Sequence, residues 1–281
     1  MKEYATVNAC DLTTMHCGGT IATLYEPETK EELASLLGRL DSFVVIGGGS
    51  NMIFSDGLIA TPVIRLGKDF SSLSIEGGAL HAQAATPLKT LLQYCIDNGL
   101  SGLEFMAGIP GTVGGALAMN AGTPDKGIMD AVLEVEYVDG TGIHVVKRDA
   151  ISYGYRRGGF ASRAVVISAR LRVEPLTPEE VAAAMQPYLL KKKNQPKGFS
   201  SGSMFRNPPG LAAGRLIEQA GLKGLRIGGA KISEIHANFI INDGNATTAD
   251  IRSLLHTIKE RVKERFGIEL QEEVKIIDER L

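Results

Sequence analysis

Cysteine is scarce in this chain: Cys10, Cys17 and Cys95 are three among 281 residues, and no two form a C-x-x-C pair. A disulfide framework and a structural zinc site are therefore not expected. His81, His144, His236 and His256 lack the spacing of metal ligands, so no metal is expected at all. No stretch approaches the ~18 apolar residues of a membrane helix. The opening MKEYATVNACDLTTMHCGG has no apolar h-region either. The expectation is a chain without signal peptide or membrane insertion, working in a reducing cytoplasm. Net charge is −2, so no broad basic field points to nucleic acid.

What the chain has in excess is glycine, 33 of 281 residues, well above the usual ~7%. The glycines fall in clusters rather than in a repeat, which excludes collagen-like and linker readings. Hydrophobic residues at 44% and charged residues at 22% are ordinary for a globular protein with a sizeable core.

Apolar spacing predicts helices in PETKEELASLLGRLD, PLKTLLQYCIDNGL, TPEEVAAAMQPYLLKKK, LAAGRLIEQAGLKG and TTADIRSLLHTIKERVKERFG. Thr177, Pro178 and Glu180 read as a capping box with proline at the first helical position, and Pro187 should kink or end that helix. Hairpins are expected through Gly77-Gly78 and Asp139-Gly140, and IELQEEVKII reads as a closing strand. A boundary near Pro175–Pro178 separates a C-terminal α+β third.

Two glycine clusters carry the chemistry. The first, VVIGGGSNMIFSDG, brings an apolar strand into Gly47, Gly48 and Gly49, then Ser50 and Asn51. Neither a Walker A pattern nor the GxGxxG fingerprint is present, and NMIFSDG has no helical period to supply a helix N-terminus. Anion binding there would use successive backbone N–H groups, and a plain tight turn is the competing reading. The second, GLEFMAGIPGTVGGALAMNAG, sets Gly108, Gly111, Gly114 and Gly115 around Ile109-Pro110. Four glycines in eight residues suit main chain lying close to a flat cofactor, and Thr112 and Asn120 add hydrogen-bonding capacity.

These two segments are followed in order by YGYRRGGF, GSMFRNPPG, IGGAKISEIHANFIIN and LQEEV. With that series the chain resembles the UDP-N-acetylenolpyruvoylglucosamine reductase family over nearly its whole length. Its size is similar to the shorter subtype, which lacks a substrate-closing loop. The resemblance implies an α+β fold. Two lobes, 1–65 and 66–175, would form an FAD-binding module of the PCMH/vanillyl-alcohol-oxidase type, and 176–281 a substrate domain. It implies non-covalent FAD, NADPH as co-substrate, a UDP-sugar enolpyruvyl ether as substrate, and a place in peptidoglycan precursor synthesis. Gly47, Gly48, Gly49, Ser50 and Asn51 would hold the pyrophosphate. Ile109, Pro110, Gly111, Thr112, Gly114, Gly115, Ala116, Asn120, Ala121 and Gly122 would line the flavin. A flavin oxidase of the same fold acting on another small substrate is the alternative.

The implied reaction adds hydride to the vinyl carbon of the ether, so negative charge builds on the neighbouring carbon and its carboxylate. Positive partners and a proton donor are then required. Arg156, directly after Tyr155, matches the family's catalytic arginine; Arg157 competes on sequence grounds. A guanidinium stays charged and clamps a carboxylate. The family usually has serine two places on, where this chain has Gly158. Ser203 matches the proton-donating serine, although Ser200 and Ser201 lie beside it. Arg206 stands where the family commonly has lysine, and Asn207 falls in the same substrate-orienting stretch. Tyr155 and Asn238 are further possible substrate contacts. Glu273 matches a C-terminal glutamate within a pattern written LEPEV, here LQEEV without the proline. Strand alternation alone would instead flag Glu272 as the odd carboxylate on the apolar face. His16 and Cys17 invite thought of a covalent flavin link, which some relatives of the fold make and this family does not; packing is the plainer reading.

Overall fold

The computed structural model describes residues 1–161 and 163–279. Helices form in all five segments with 3.6-residue apolar spacing: α1 (Lys30–Leu37), α2 (Leu88–Asp97), α4 (Pro178–Lys193), α5 (Ala213–Gln219) and α6 (Thr248–Phe266). The helix α3 (Val113–Met119) was not expected, because it lies inside the second glycine cluster, where glycine lowers helix propensity. One local and one tertiary fact explain it. Thr112 caps its first turn by accepting from Gly115 N–H, and a Cβ on Gly114 would sit 2.9 Å from Ala84 Cβ. Glycine there lets the helix approach the neighbouring strand.

The described chain forms two units, each assembled from separated stretches of sequence. The first contains residues 1–3, 24–48 and 62–193. Its centre is an antiparallel five-stranded sheet in the order Gly142–Lys147, Val132–Asp139, Val165–Arg172, Ala79–Gln83, Leu73–Glu76. One hairpin turns at Gly77 and Gly78, both with positive φ, and the other at Gly140-Thr141. A core of Leu80, Leu91, Val113, Leu117, Val135 and Leu171 joins this sheet to α2 and α3. In the same unit Val44–Val45 pairs in parallel with Val63–Ile64, and the strand leads straight into Gly47. Helix α4 continues through Pro187 instead of ending there. The carbonyl that loses its donor belongs to Ala183 on the exposed face, where water can replace the missing bond.

The second unit contains residues 4–23, 49–61 and the described residues from Asn194 onward. Helix α6 is opened by a capping box between Thr247 and Asp250 and closed by left-handed Gly267. Its buried stripe of Ile251, Leu254, Leu255, Ile258 and Val262 joins the core that includes Ala230, Ile232 and Ile240. Those three come from an antiparallel sheet of Arg226–Ile227, Ala230–Ile232 and Ile240–Asn242. The closing strand is shorter than expected. Only Lys275–Ile277 is regular, pairing in parallel with Met52–Phe54, while Glu272 makes an isolated bridge to Phe205.

Both units draw on residues 1–65 and on residues beyond 176, and the chain passes from one unit to the other inside the triple glycine, between Gly48 and Gly49.

Candidate active site

In the first unit the two glycine clusters lie against each other. A Cβ on Gly48 would stand 2.8 Å from Gly111 Cα, and one on Gly47 would stand 2.5 Å from Thr112 Oγ1. The bareness of these residues is thus required first by neighbouring protein, Gly48 against the main chain of Gly111 and Gly47 against the side chain of Thr112. The outer surface of the pair stays open: Gly47, Gly48, Pro110 and Gly115 are exposed, and a Cβ on Gly115 would meet nothing nearer than Thr112 Oγ1 at 3.6 Å. Gly111 is held at φ +114°, and the carbonyl oxygen of Gly111 accepts from Leu88 N–H at 2.9 Å. Ile109 packs on the core, Ala116 is buried, and Ala121 N–H donates to the Ala116 carbonyl at 2.8 Å.

Asn120 ties this cluster to the arginine turn. It takes the left-handed conformation after α3, its Nδ2 donates to Gly154 O at 3.0 Å, and its Oδ1 accepts from Met129 N–H at 3.1 Å. Gly154 and Arg157 exchange two backbone bonds, leaving Tyr155 and Arg156 at the tip of a tight turn. Arg156 has φ +55°, a conformation costing a residue with a Cβ about 1–2 kcal/mol. Its guanidinium lies 5.2 Å from the centre of the exposed Tyr155 ring, and Nη1 donates to Gly122 O at 3.5 Å. Of the two adjacent arginines, Arg156 is half-buried and Arg157 exposed. Gly158 is buried, and any Cβ there would overlap the Leu117 carbonyl. The serine usual at that place in the resembled family does not fit this backbone.

In the second unit, backbone bonds bring the segments of Ser203 and Glu273 side by side. Met204 N–H donates to Asn238 O at 2.8 Å, Met204 O accepts from Glu273 N–H at 2.8 Å, and Arg206 N–H donates to Gln271 O at 2.9 Å. Ser203 itself bridges Phe239. Asn238, expected as a substrate contact, is buried with its amide spent inside the chain. Its Oδ1 accepts from Phe205 N–H at 2.9 Å, and its Nδ2 donates to Phe205 O at 2.8 Å. The side chain thus clamps the segment that carries Ser203. His236 supports the clamp, with Nδ1 accepting Asn238 N–H at 3.2 Å, and burial holds its imidazole below the usual histidine range. Asn207 Oδ1 accepts from Ala213 N–H at 3.0 Å, at the start of α5. Glu272 forms a half-exposed ion pair with Lys259 at 3.0 Å, a structural contact that accounts for the carboxylate flagged by alternation.

Gly49, Ser50 and Asn51 also belong to this unit. A Cβ on Gly49 would overlap the Leu12 carbonyl, and Gly49 O accepts from Thr14 N–H at 3.1 Å. Asn51 Nδ2 donates to Glu273 O at 3.1 Å. Cys17 is buried beside Thr248 Oγ1 at 3.8 Å, and burial pushes its thiol up to about 11. That is the behaviour of a packing residue, not of a nucleophile. His16 packs against Phe199 in a tilted arrangement with ring centres 4.2 Å apart.

The sequence does not single out Thr13, and it offers Ser201 only as a neighbour of Ser203. Both are buried, and Thr13 Oγ1 and Ser201 Oγ have no hydrogen-bond partner among the described residues; neither does the buried Nε of Arg206. Thr13 flanks Gly49, with its Cα 2.8 Å from the position of a Gly49 Cβ, and Thr14 Oγ1 donates to the carbonyl of Ser200, next to Ser201. Orphaned buried hydroxyls next to the glycine segment are what a polar cofactor would satisfy. The only signal in the sequence was a threonine among other polar loop residues. Within the first unit taken by itself, the open glycine surface suits main-chain contact with a dinucleotide such as FAD.

The family model for the UDP-N-acetylenolpyruvoylglucosamine reductase C-terminal domain matches residues 194–277, and that for an FAD binding domain matches residues 21–147. The UDP-N-acetylenolpyruvoylglucosamine reductase of Geobacter metallireducens is 40% identical over 273 residues, spanning 95% of this chain and 91% of its own. That of Rhodopseudomonas palustris is 41% identical, spanning 95% and 88%. The crystal structure of the Thermus caldophilus enzyme of that name aligns with a TM-score of 0.87 at 37% identity, over 98% of both chains.

Proposed function

The chain belongs to the UDP-N-acetylenolpyruvoylglucosamine reductase family, and from that premise we propose how its residues share out the reduction of an enolpyruvyl ether. The protein is an FAD-containing oxidoreductase that uses NADPH to convert UDP-N-acetylglucosamine enolpyruvate to UDP-N-acetylmuramate, a peptidoglycan precursor. FAD, when bound, relays hydride from NADPH to the vinyl carbon of the ether. In our reading Gly47–Asn51 and Ile109–Gly122 hold that cofactor through main-chain N–H groups, with Thr112 and Asn120 shaping the second segment. Residues 1–65 and 66–175 would supply its binding lobes and 176–281 the substrate lobe.

Arg156 binds the substrate carboxylate and offsets the charge that builds there. Its guanidinium needs no change of protonation to do so. Tyr155, exposed beside it, covers the same group, and the tight turn fixes the main chain from which both side chains project. Ser203 gives its hydroxyl proton to the carbon next to the carboxylate. Serine is a weak acid, so the reaction depends on a nearby cation, and Arg206, three residues on, is the one the segment carries. Glu273 polarises the carboxylate in its enol form. Asn207 orients the Ser203 loop through α5. We place the reaction in the cytoplasm, where nucleotide sugars and NADPH are available.

The observation that supports the pairing of Ser203 with Glu273 is the bond from Glu273 N–H to Met204 O, which joins segments 69 positions apart (273 − 204) at 2.8 Å. The test separates the half-reactions. Under anaerobic conditions NADPH should bleach the flavin absorbance, and the enolpyruvyl ether should restore it. Ser203→Ala should leave bleaching nearly intact and cripple restoration. Equal loss in both halves would remove Ser203 from proton donation. Reoxidation by O₂ with no response to the ether would support the oxidase alternative instead.

A further inference from the structure

We infer that Asn51 is a positioning residue for Glu273, fixing the direction of that carboxylate rather than serving the cofactor with its side chain; the inference rests on the role given to Glu273 above. Asn51 ends the first glycine cluster and would ordinarily be counted with it. Its amide, however, is committed elsewhere. Nδ2 donates to Glu273 O at 3.1 Å, and the Asn51 carbonyl accepts from Lys275 N–H at 3.0 Å. These two bonds bracket Val274 and extend the parallel pairing of Met52–Phe54 with Lys275–Ile277 by one rung. In a regular parallel ladder the Glu273 carbonyl would meet a main-chain N–H of the opposite strand. Here a side-chain N–H takes that rung, so the main chain at Asn51 can turn with the glycine loop.

Both main-chain groups of Glu273 are thereby fixed: its N–H by Met204 O at 2.8 Å, its C=O by Asn51. Met204 is the residue after Ser203 and is itself held by Asn238 O at 2.8 Å. One run of bonds therefore sets Asn51, Glu273 and the Ser203 segment relative to each other. Without the Asn51 donor, Glu273 keeps one anchor instead of two. Displacement of a reacting group by about 1 Å costs on the order of 10²-fold in rate.

The test uses Asn51→Ala in the FAD-loaded enzyme, with Asn51→Leu as a second variant that keeps the volume and lacks the donor. Any loss in flavin affinity, read by fluorescence titration, and in the rate of NADPH bleaching should be at least about 10-fold smaller than the loss in reoxidation by the ether. Reoxidation by UDP-N-acetylglucosamine enolpyruvate should slow about 10²-fold. In the flavin-free protein, amide hydrogen exchange at Glu273 should quicken by about 10-fold, since local opening loses one bond. If alanine abolishes folding, the leucine variant decides. A weakened flavin affinity with equal losses in both half-reactions and unchanged Glu273 exchange would overturn the inference and make Asn51 a cofactor contact. A wild-type enzyme that bleaches with NADPH but ignores the ether would instead condemn the functional reading, whatever the Asn51 variants do.

Discussion

Truncating Asn238 to alanine should cost far more than its single side chain suggests. Phe205 is 1% exposed, and both of its main-chain polar groups depend on the Asn238 amide, at 2.9 Å for the N–H and 2.8 Å for the C=O. Water cannot reach them once the amide is gone, so each carries its full desolvation penalty of about 1–3 kcal/mol. The sum is roughly 2–6 kcal/mol, a large share of a net stability of about 5–15 kcal/mol. At about 2–3 °C per kcal/mol for a chain of this size, that is a fall in Tm of roughly 4–18 °C, measurable by calorimetry. Asn238→Asp gives a sharper check. At this buried position desolvation raises the carboxyl pKa in the folded state above its unfolded value of about 3.9. Protonated, the acid can donate to Phe205 O and accept from Phe205 N–H, restoring both bonds. Ionised, it loses the donor and buries a charge. Between the unfolded and the folded pKa the folded state binds more protons. The variant's stability therefore falls as pH rises, by about 1.4 kcal/mol per pH unit. Denaturation of wild type and variant from pH 4 to pH 8 should show a gap that narrows toward acid. A loss below about 1 kcal/mol for the alanine variant, with a pH-independent gap for the aspartate variant, would refute the clamp.

Further outcomes follow from the same geometry. Gly48→Ala forces a Cβ to within 2.8 Å of Gly111 Cα; with main chain on both sides it should destabilise the apoprotein by about 1–3 kcal/mol and weaken flavin binding, read by thermal melting and fluorescence titration. Arg156→Gly relieves the φ +55° residue, so turnover should collapse while Tm holds or rises slightly; a clear drop in Tm would show that the turn depends on the arginine side chain. Burial raises the thiols of Cys17 to about 11 and Cys95 to about 12, from 9.0. An alkylating reagent at pH 8 should therefore modify Cys10 in the native protein and all three cysteines after denaturation. The same two thiols ionise first in the unfolded chain, so stability should decline as pH rises from about 9 to 11, an effect absent from a Cys17→Ala/Cys95→Ala variant.

Much of the architecture could be read locally because its causes are local. The stripe of α6, its capping box at Thr247 and the left-handed stop at Gly267 depend on 3.6-residue spacing and on chemistry within a turn or two. The hairpins at Gly77 and Gly140 depend on backbone preferences of two residues. The order of the motifs likewise pointed to the family that the comparisons show. Local reading failed where a distant partner decides. The Pro187 helix continues because the orphaned carbonyl faces water, and α3 forms among glycines because Ala84 needs the room.

The sequence by itself determined which residue types could do the chemistry: an arginine behind a tyrosine, a serine before MFRNP, a glutamate near the end, and two runs of bare main chain. It did not decide what those residues touch. Gly48 is glycine because of Gly111, 63 positions away (111 − 48). Asn238 serves Phe205, Glu272 is paired by Lys259, and Asn51 anchors Glu273. Each of these is a contact between segments far apart in the chain. Hydrogen bonds and steric exclusion act over about 3 Å, so only the folded chain determines which pairs come within reach.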